Sequence, residues 1–180
     1  MEYKVIYLAA GRAHLLYPNV TYNDYKEKRD LICDMLSVDL SDYDILIATP
    51  PCNYYSRANN RYRETSEYAQ ATKHLLPDII DKFISTGKPF IVENVRNEPM
   101  FKRLELYDKN CYIYKHGRHT YWTNVMFDMS TIPQEYDFKT IPGYGQIRLK
   151  SYVQGGKNVN YVLDWFIEYV LNNVLQKKIC

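Results

Sequence analysis

Glycine is scarce in this 180-residue chain: seven residues, against eight prolines. Only Gly11 follows the first apolar run, so no glycine-rich phosphate loop can be written there. The four cysteines, Cys33, Cys52, Cys111 and Cys180, show no C-x-x-C spacing and no neighbouring histidine pair. That excludes the usual zinc and disulfide frameworks and fits a reducing, intracellular setting. No apolar run approaches the length of a membrane span and no leader pattern opens the chain, so a soluble cytoplasmic protein without a membrane partner is expected. A net charge of +2 is no polybasic signature; it permits a nucleic-acid partner without pointing to one. Repeats, linkers and low-complexity segments are lacking too, and 180 residues are expected to form one domain. Tyrosine is the excess, nineteen residues, more simply read as compositional bias than as a contact surface.

What is present reads as alternating buried strands and helices, an α/β chain with a mostly parallel sheet. Lys4 to Leu8 is a first strand, broken at Ala9-Ala10-Gly11; Ala13 to Tyr17 allows one or two helical turns, and Val20 to Tyr22 is a brief second strand. Asp30 to Met35 is ambiguous between strand and helical turn. Ile45 to Ala48 is a four-residue apolar run ending in Pro50-Pro51, which cannot continue a ladder. Tyr68 to Phe83 repeats at helical spacing with Thr65 or Ser66 as cap and a kink or break expected at Pro77. Phe90 to Val92 is another buried strand, and Met100 to Leu106 a short helix. Cys111 to Tyr114 and Thr120 to Trp122 make a hairpin around a basic turn. Asp128 to Gln146 reads as loop. Val159, Val162, Phe166, Val170 and Val174 mark a terminal amphipathic helix.

Two side chains stand out by position. Cys52 follows the strand that ends at Pro50-Pro51, and Glu93 ends the strand from Phe90. Open α/β sheets place their ligands at the carboxyl ends of such strands. A thiol and a carboxylate there can act as nucleophile and acid partner, although each also has a plain reading, as a buried structural thiol and a strand-end acid. Gly11 could receive a cofactor or simply turn the chain. Asp24 could bond a ribose, cap a helix or be a solvated loop residue, and Asp34 could meet a ligand or cap a turn. The loop Asn59 to Arg63 carries positive charge among aromatic residues, suited to phosphate or simply solvated. His74 reads as structural or solvated, and His119, next to Arg118, as a contact to substrate phosphate or, more simply, a surface turn residue.

Pro50-Pro51-Cys52, Glu93-Asn94-Val95, Arg118 to Asn124 and Gln154 to Val159 together resemble the DNA cytosine-5 methyltransferases, in the compact form encoded by bacteriophages. The resemblance runs from Tyr7 to the last helix. It implies a Rossmann-like, S-adenosylmethionine-dependent fold in a bacterial cytoplasm, with DNA as partner, either a duplex with its base flipped out or a single strand. On that resemblance Cys52 adds to cytosine C6, Glu93 assists at N3 and Arg118 supports the base. Leu8, Gly11, Asp24, Asp34, Pro50, Gly156 and Asn158 would hold the cofactor, and Ser56, Arg57, Asn94 and Thr120 the substrate. The chain departs from the pattern at Tyr7-Leu8-Ala9-Ala10-Gly11, which has one glycine, and at Lys157. The segment before the closing motif is too short for a separate target-recognition domain, so specificity is expected to be low or supplied by a partner. The alternatives are an inactive methyltransferase-like fold that binds nucleic acid or a host protein, and an enzyme acting on a free nucleotide.

Overall fold

The computed structural model describes residues 3–132 and 159–175. Its centre is a six-stranded sheet in which β1 (Val5–Leu8), β2 (Val20–Tyr22), β3 (Ile45–Ala48) and β4 (Phe90–Val95) run parallel. β5 (Tyr112–His116) and β6 (His119–Thr123) form the expected hairpin, and β6 pairs antiparallel with β4, giving the order β2-β1-β3-β4-β6-β5. Its tight turn needs a residue at positive φ, and Gly117 supplies it at 56°. β1, β3 and the first half of β4 are buried on both faces, which is why they read as unbroken apolar runs.

One face of the sheet is covered by α1 (Glu67–Thr72), α2 (Leu75–Thr86) and a 3-10 turn at Met35–Ser37. Leu76, Ile79, Ile80 and Phe83 of α2 pack there on Ile6, Leu46, Phe90 and Val92. The single helix expected from Tyr68 to Phe83 is two, and the break is not at Pro77. Pro77 is the third residue of α2, where its missing N–H has no intrahelical partner to lose. The chain breaks instead around Lys73-His74, where the buried Tyr55 hydroxyl donates to the Lys73 carbonyl. Ser66 caps α1 by accepting from the Ala69 N–H, and Gly87 closes α2 at φ 66°. The short helix after β4, α3, spans Glu98–Arg103.

The opposite face is covered by α4 (Val159–Val170), continued by a π-helical turn at Leu171–Leu175. Tyr161, Val162, Phe166 and Val170 pack on Val5, Tyr7, Ile45, Ile47 and Ile91. The helical turns expected at Ala13 to Tyr17 do not form: β1 returns to β2 through irregular backbone. Pro18 stops a helix before it has the length to be stable. The terminal helix secures that segment, because Asp164, 5% exposed, accepts from the Leu16 N–H (2.7 Å) and the Tyr17 N–H (3.2 Å).

Strand order reverses between β1 and β3, since the chain leaves β1 for β2 on one side and returns to β3 on the other. A crevice at the carboxyl ends beside such a switch point is where open α/β sheets bind ligands. Among the described helices none is long and apolar enough to cross a membrane.

Asp164→Ala strands two part-buried N–H groups. Stability is expected to fall by about 1–3 kcal/mol, read in urea as a lower midpoint with an unchanged slope.

Candidate active site

Cys52 and Glu93 reach the same sheet edge from neighbouring strands, the thiol just beyond β3 and the carboxylate near the end of β4. Three side chains hold the loop that carries Cys52. Asn94, 1% exposed, donates to the Pro50 carbonyl at 3.0 Å while its own oxygen accepts from the Val95 N–H. Asn97 donates to the Tyr55 carbonyl at 2.6 Å. Arg63 donates to the carbonyls of Tyr54 and Ser56 and to the Asn60 side chain. The Cys52 carbonyl opens the turn by accepting from the N–H groups of Tyr55 and Ser56.

The Cys52 thiol is half-buried; burial pushes it up from its ordinary range, and the Glu93 carboxylate pushes in the same direction. The resting group is therefore a thiol rather than a thiolate. Glu93 lies two residues after Ile91, so it faces the α4 side of the sheet, opposite Tyr121 in register. Its Oε1 lies 2.5 Å from His119 Nδ1, and both side chains are largely buried. His119 was expected at a surface turn; in the structure it opens β6 and partners Glu93. The signal was the alternation of β6, which puts residues 119 and 121 on one face.

Two concavities are lined by chain neighbours of the pair, Pro51 in one and Val95 in the other, without Cys52 or Glu93 themselves. The first, about 330 Å³, lies at the switch point and is lined by Ala9, Asn23, Asp24, Tyr25, Asp34, Pro51 and Tyr68, among others. Asn23, which sequence reading passed over, organises it. Its amide donates to the carbonyls of Leu31 and Cys33, its oxygen accepts from the Ala9 N–H, and its carbonyl from the Ala10 N–H. Ala9 sits at φ 52°, a left-handed conformation that costs a residue with a Cβ about 1–2 kcal/mol. Lys26 Nζ lies 4.6 Å from the centre of the Tyr68 ring, and Tyr25 is 72% exposed. The second concavity, about 610 Å³, is lined by Ser56, Arg57, Ala58, Val95, Arg96, Glu98, Gly117 and Arg118.

The residues expected at the cofactor divide. Asp34 and Asp24 line the switch-point crevice. Asp34 Oδ1 accepts from the Leu36 N–H as the cap of a 3-10 turn, and its other oxygen has no hydrogen bond among the described residues. Asp24 is already engaged: Oδ2 accepts from the Gly11 N–H, and Oδ1 from those of Lys26 and Glu27. Burial raises its carboxyl, but those three bonds and the nearby Arg29 outweigh it and hold the group below its usual range. Gly11, φ 54°, is braced from both sides, by Asp24 and by Arg29 on its carbonyl, and does not line the crevice. Leu8 is wholly buried in the core, and Pro50 is buried with its carbonyl on Asn94. Both shape the strand ends; it is Pro51 that lines the crevice. Gly156 and Asn158 lie outside the described residues.

The expected substrate residues divide in the same way. Ser56, Arg57 and Arg118 come together around the larger concavity. Asn94 is instead enclosed, with both ends of its amide engaged. Thr120, opposite it in register, is 0% exposed, and its hydroxyl makes no hydrogen bond among the described residues. Both side chains are therefore enclosed, where Ser56, Arg57 and Arg118 line a concavity. Arg63, in the loop read as suited to phosphate or simply solvated, is turned inward as a brace.

No family model matches the chain, and no curated protein does. Among solved structures it is similar to the Entamoeba histolytica methyltransferase EhMeth, with 18% identity and a TM-score of 0.41 over 68% of this chain and 52% of that one. The chain spans about half the length of that structure.

Because the Glu93 charge raises the Cys52 thiol, Glu93→Gln brings it down and enlarges the thiolate fraction near neutral pH. Alkylation of Cys52 by iodoacetamide, followed by peptide mass spectrometry with Cys33 and Cys111 as internal references, is expected to run several-fold faster in the variant. Burial remains, so the rate stays below that of an exposed thiol.

Proposed function

We propose that this chain transfers a methyl group from S-adenosylmethionine to C5 of cytosine in DNA, with Cys52 as nucleophile and Glu93 as acid partner. The observation that carries the reading is the meeting of a half-buried thiol and a carboxylate that acts on it, at the carboxyl ends of adjacent parallel strands. Cytosine C5 is a poor nucleophile until C6 is attacked. As the Cys52 sulfur bonds to C6 and gives up its proton, the C5=C6 electron pair is released toward C5 and the ring. Glu93 offsets the charge by placing a proton at N3. Removal of the C5 proton later expels the sulfur. Ser56, Arg57 and Arg118 surround a concavity able to take a nucleotide, with two guanidinium groups available to its phosphate. A base taken out of its stack is required, since C6 is hidden within a duplex.

The switch-point crevice fits the adenosine end of the cofactor. Asp34 has an oxygen available to an exocyclic amine, Tyr25 and Tyr68 offer rings, and Asn23 and Pro51 complete the wall. When bound, S-adenosylmethionine supplies an electrophilic methyl group. A second reading, a methyltransferase-like fold that binds nucleic acid or a host protein without the cofactor, draws on Asp24, whose two oxygens are already taken by backbone.

Radiolabelled methyl transfer from S-adenosylmethionine decides between them. Label is expected on C5 of cytosine in duplex or single-stranded DNA, reduced by orders of magnitude in Cys52→Ala. Calorimetry is expected to show cofactor binding, weakened about tenfold or more in Asp34→Asn through loss of a charged acceptor. Transfer to free deoxycytidine nucleotides but not to DNA would move the substrate; absence of both transfer and cofactor binding would leave the binding protein.

A further inference from the structure

Glu93 has an unusual companion. His119 sits on β6 opposite Val95, so its side chain emerges diagonally from Glu93 on the same face, next to Tyr121. Nδ1 and Oε1 are 2.5 Å apart, with side-chain exposures of 14% and 10%. A contact that short between buried groups requires a proton between nitrogen and oxygen. The other ring nitrogen, Nε2, has no hydrogen bond among the described residues, while the side chain keeps some exposure. Among the described residues Glu93 is tied at one oxygen, by a side chain whose second nitrogen can still exchange a proton elsewhere.

We infer that His119 is a positioning residue for Glu93, an inference that rests on the methyl-transfer reading above. With Nδ1–H donating to Oε1, the carboxylate cannot rotate, and the proton it takes up from solvent as cytosine enters is confined to Oε2. As the sulfur–C6 bond forms and the Cys52 proton leaves to solvent, the Oε2 proton passes to cytosine N3. The O–H electron pair stays on Glu93 as a carboxylate. His119 then takes a proton from water at Nε2, so the new anion faces an imidazolium rather than standing uncompensated beside the sulfur. The count closes: N3 gains the proton that Oε2 loses, and the imidazole gains one from water. The pair returns when Nε2 releases that proton and N3 gives its own back to Oε2 as the sulfur is expelled. Oε2 then yields it to solvent as the product leaves, while the sulfur regains a proton from solvent. His119 touches neither substrate nor sulfur in this scheme. It fixes which oxygen works and balances the charge left behind.

The distinguishing variant is His119→Asn, whose side-chain N–H can still donate to Glu93 but cannot take up a proton. His119→Ala serves as the variant that loses both functions. In the full-length protein without substrate, a proton held between imidazole and carboxylate is expected as a far-downfield proton NMR resonance, absent in His119→Asn and lost or displaced in Glu93→Gln. In methyl-transfer assays, His119→Asn is expected to keep KM for DNA while kcat falls about 10²- to 10³-fold, with His119→Ala lower still. Wild-type kcat in His119→Asn would reduce the residue to a spacer and overturn the inference, as would absence of the downfield resonance in an active wild-type protein. Should the wild type transfer no methyl group, the catalytic reading fails and takes this role with it. The resonance would then report a structural pair.

Discussion

The hydrogen bond from the Asn94 side chain to the Pro50 carbonyl joins the ends of two neighbouring strands at the point where one becomes a loop. β3 ends at Ala48, and two prolines remove the backbone donors that could have carried its pairing further. Without another tie the loop bearing Cys52 would be set by its own turn alone. Asn94 is enclosed, so its amide must find partners inside the protein, and the Pro50 carbonyl is one of them. Asn97 repeats the device at Tyr55, and Asn124 does so at the start of the strand, accepting from the Phe90 N–H and donating to the Lys88 carbonyl. β4 is thus fixed at its entry by one asparagine, and two more tie its exit to the Cys52 loop. The position of Glu93 relative to Cys52 follows from those ties.

The far side of the sheet is built by exchange. A β1–β2 connection of this topology commonly carries a helix, and here it carries none. The face it would have covered is taken by α4, from the other end of the sequence, and Asp164 of α4 supplies the acceptors that helical backbone would have provided. Asp24 and Arg29 do the same for the turn at Gly11, holding its N–H and its carbonyl. An irregular segment over a core has to satisfy its backbone groups somehow. In this chain charged side chains from elsewhere do it, and one consequence reaches the crevice: the acid at the end of β2 comes to a ligand already occupied.

Much of the fold was legible because it depends on local signals. Buried parallel strands are short apolar runs, and the Pro-Pro pair, the Gly87 cap and the basic hairpin turn announce their own boundaries. Cys52 and Glu93 could be placed because both immediately follow or end such runs. What was not legible depends on partners far away in sequence. Proline at a third helical position and proline in a helix interior look alike until the helix start is known, so the break fell at Lys73-His74 unannounced. Arg63 looks like a phosphate ligand until Tyr54 and Ser56 are seen to turn their carbonyls toward it. Asn23 belongs to no motif and His119 has no assigned role within the Arg118 to Asn124 stretch, so the importance of both lies in what the sheet brings against them.

The electrostatics of the site argue against a nucleophile armed at rest. Desolvation and a neighbouring carboxylate both favour the thiol form of Cys52, the reverse of the electropositive settings that activate cysteine in other enzymes. A structural cysteine would be expected in such a place were it enclosed, yet Cys52 keeps partial exposure at a strand-end loop held in place by three side chains. The proposed chemistry reconciles the two. Sulfur attack on C6 is uphill until N3 accepts a proton, so the charge on Glu93 and the reactivity of Cys52 have to change together, at the moment a base is present. A carboxylate that suppresses the thiolate in the empty site, and is altered only by the substrate it serves, keeps the thiol quiet between turnovers.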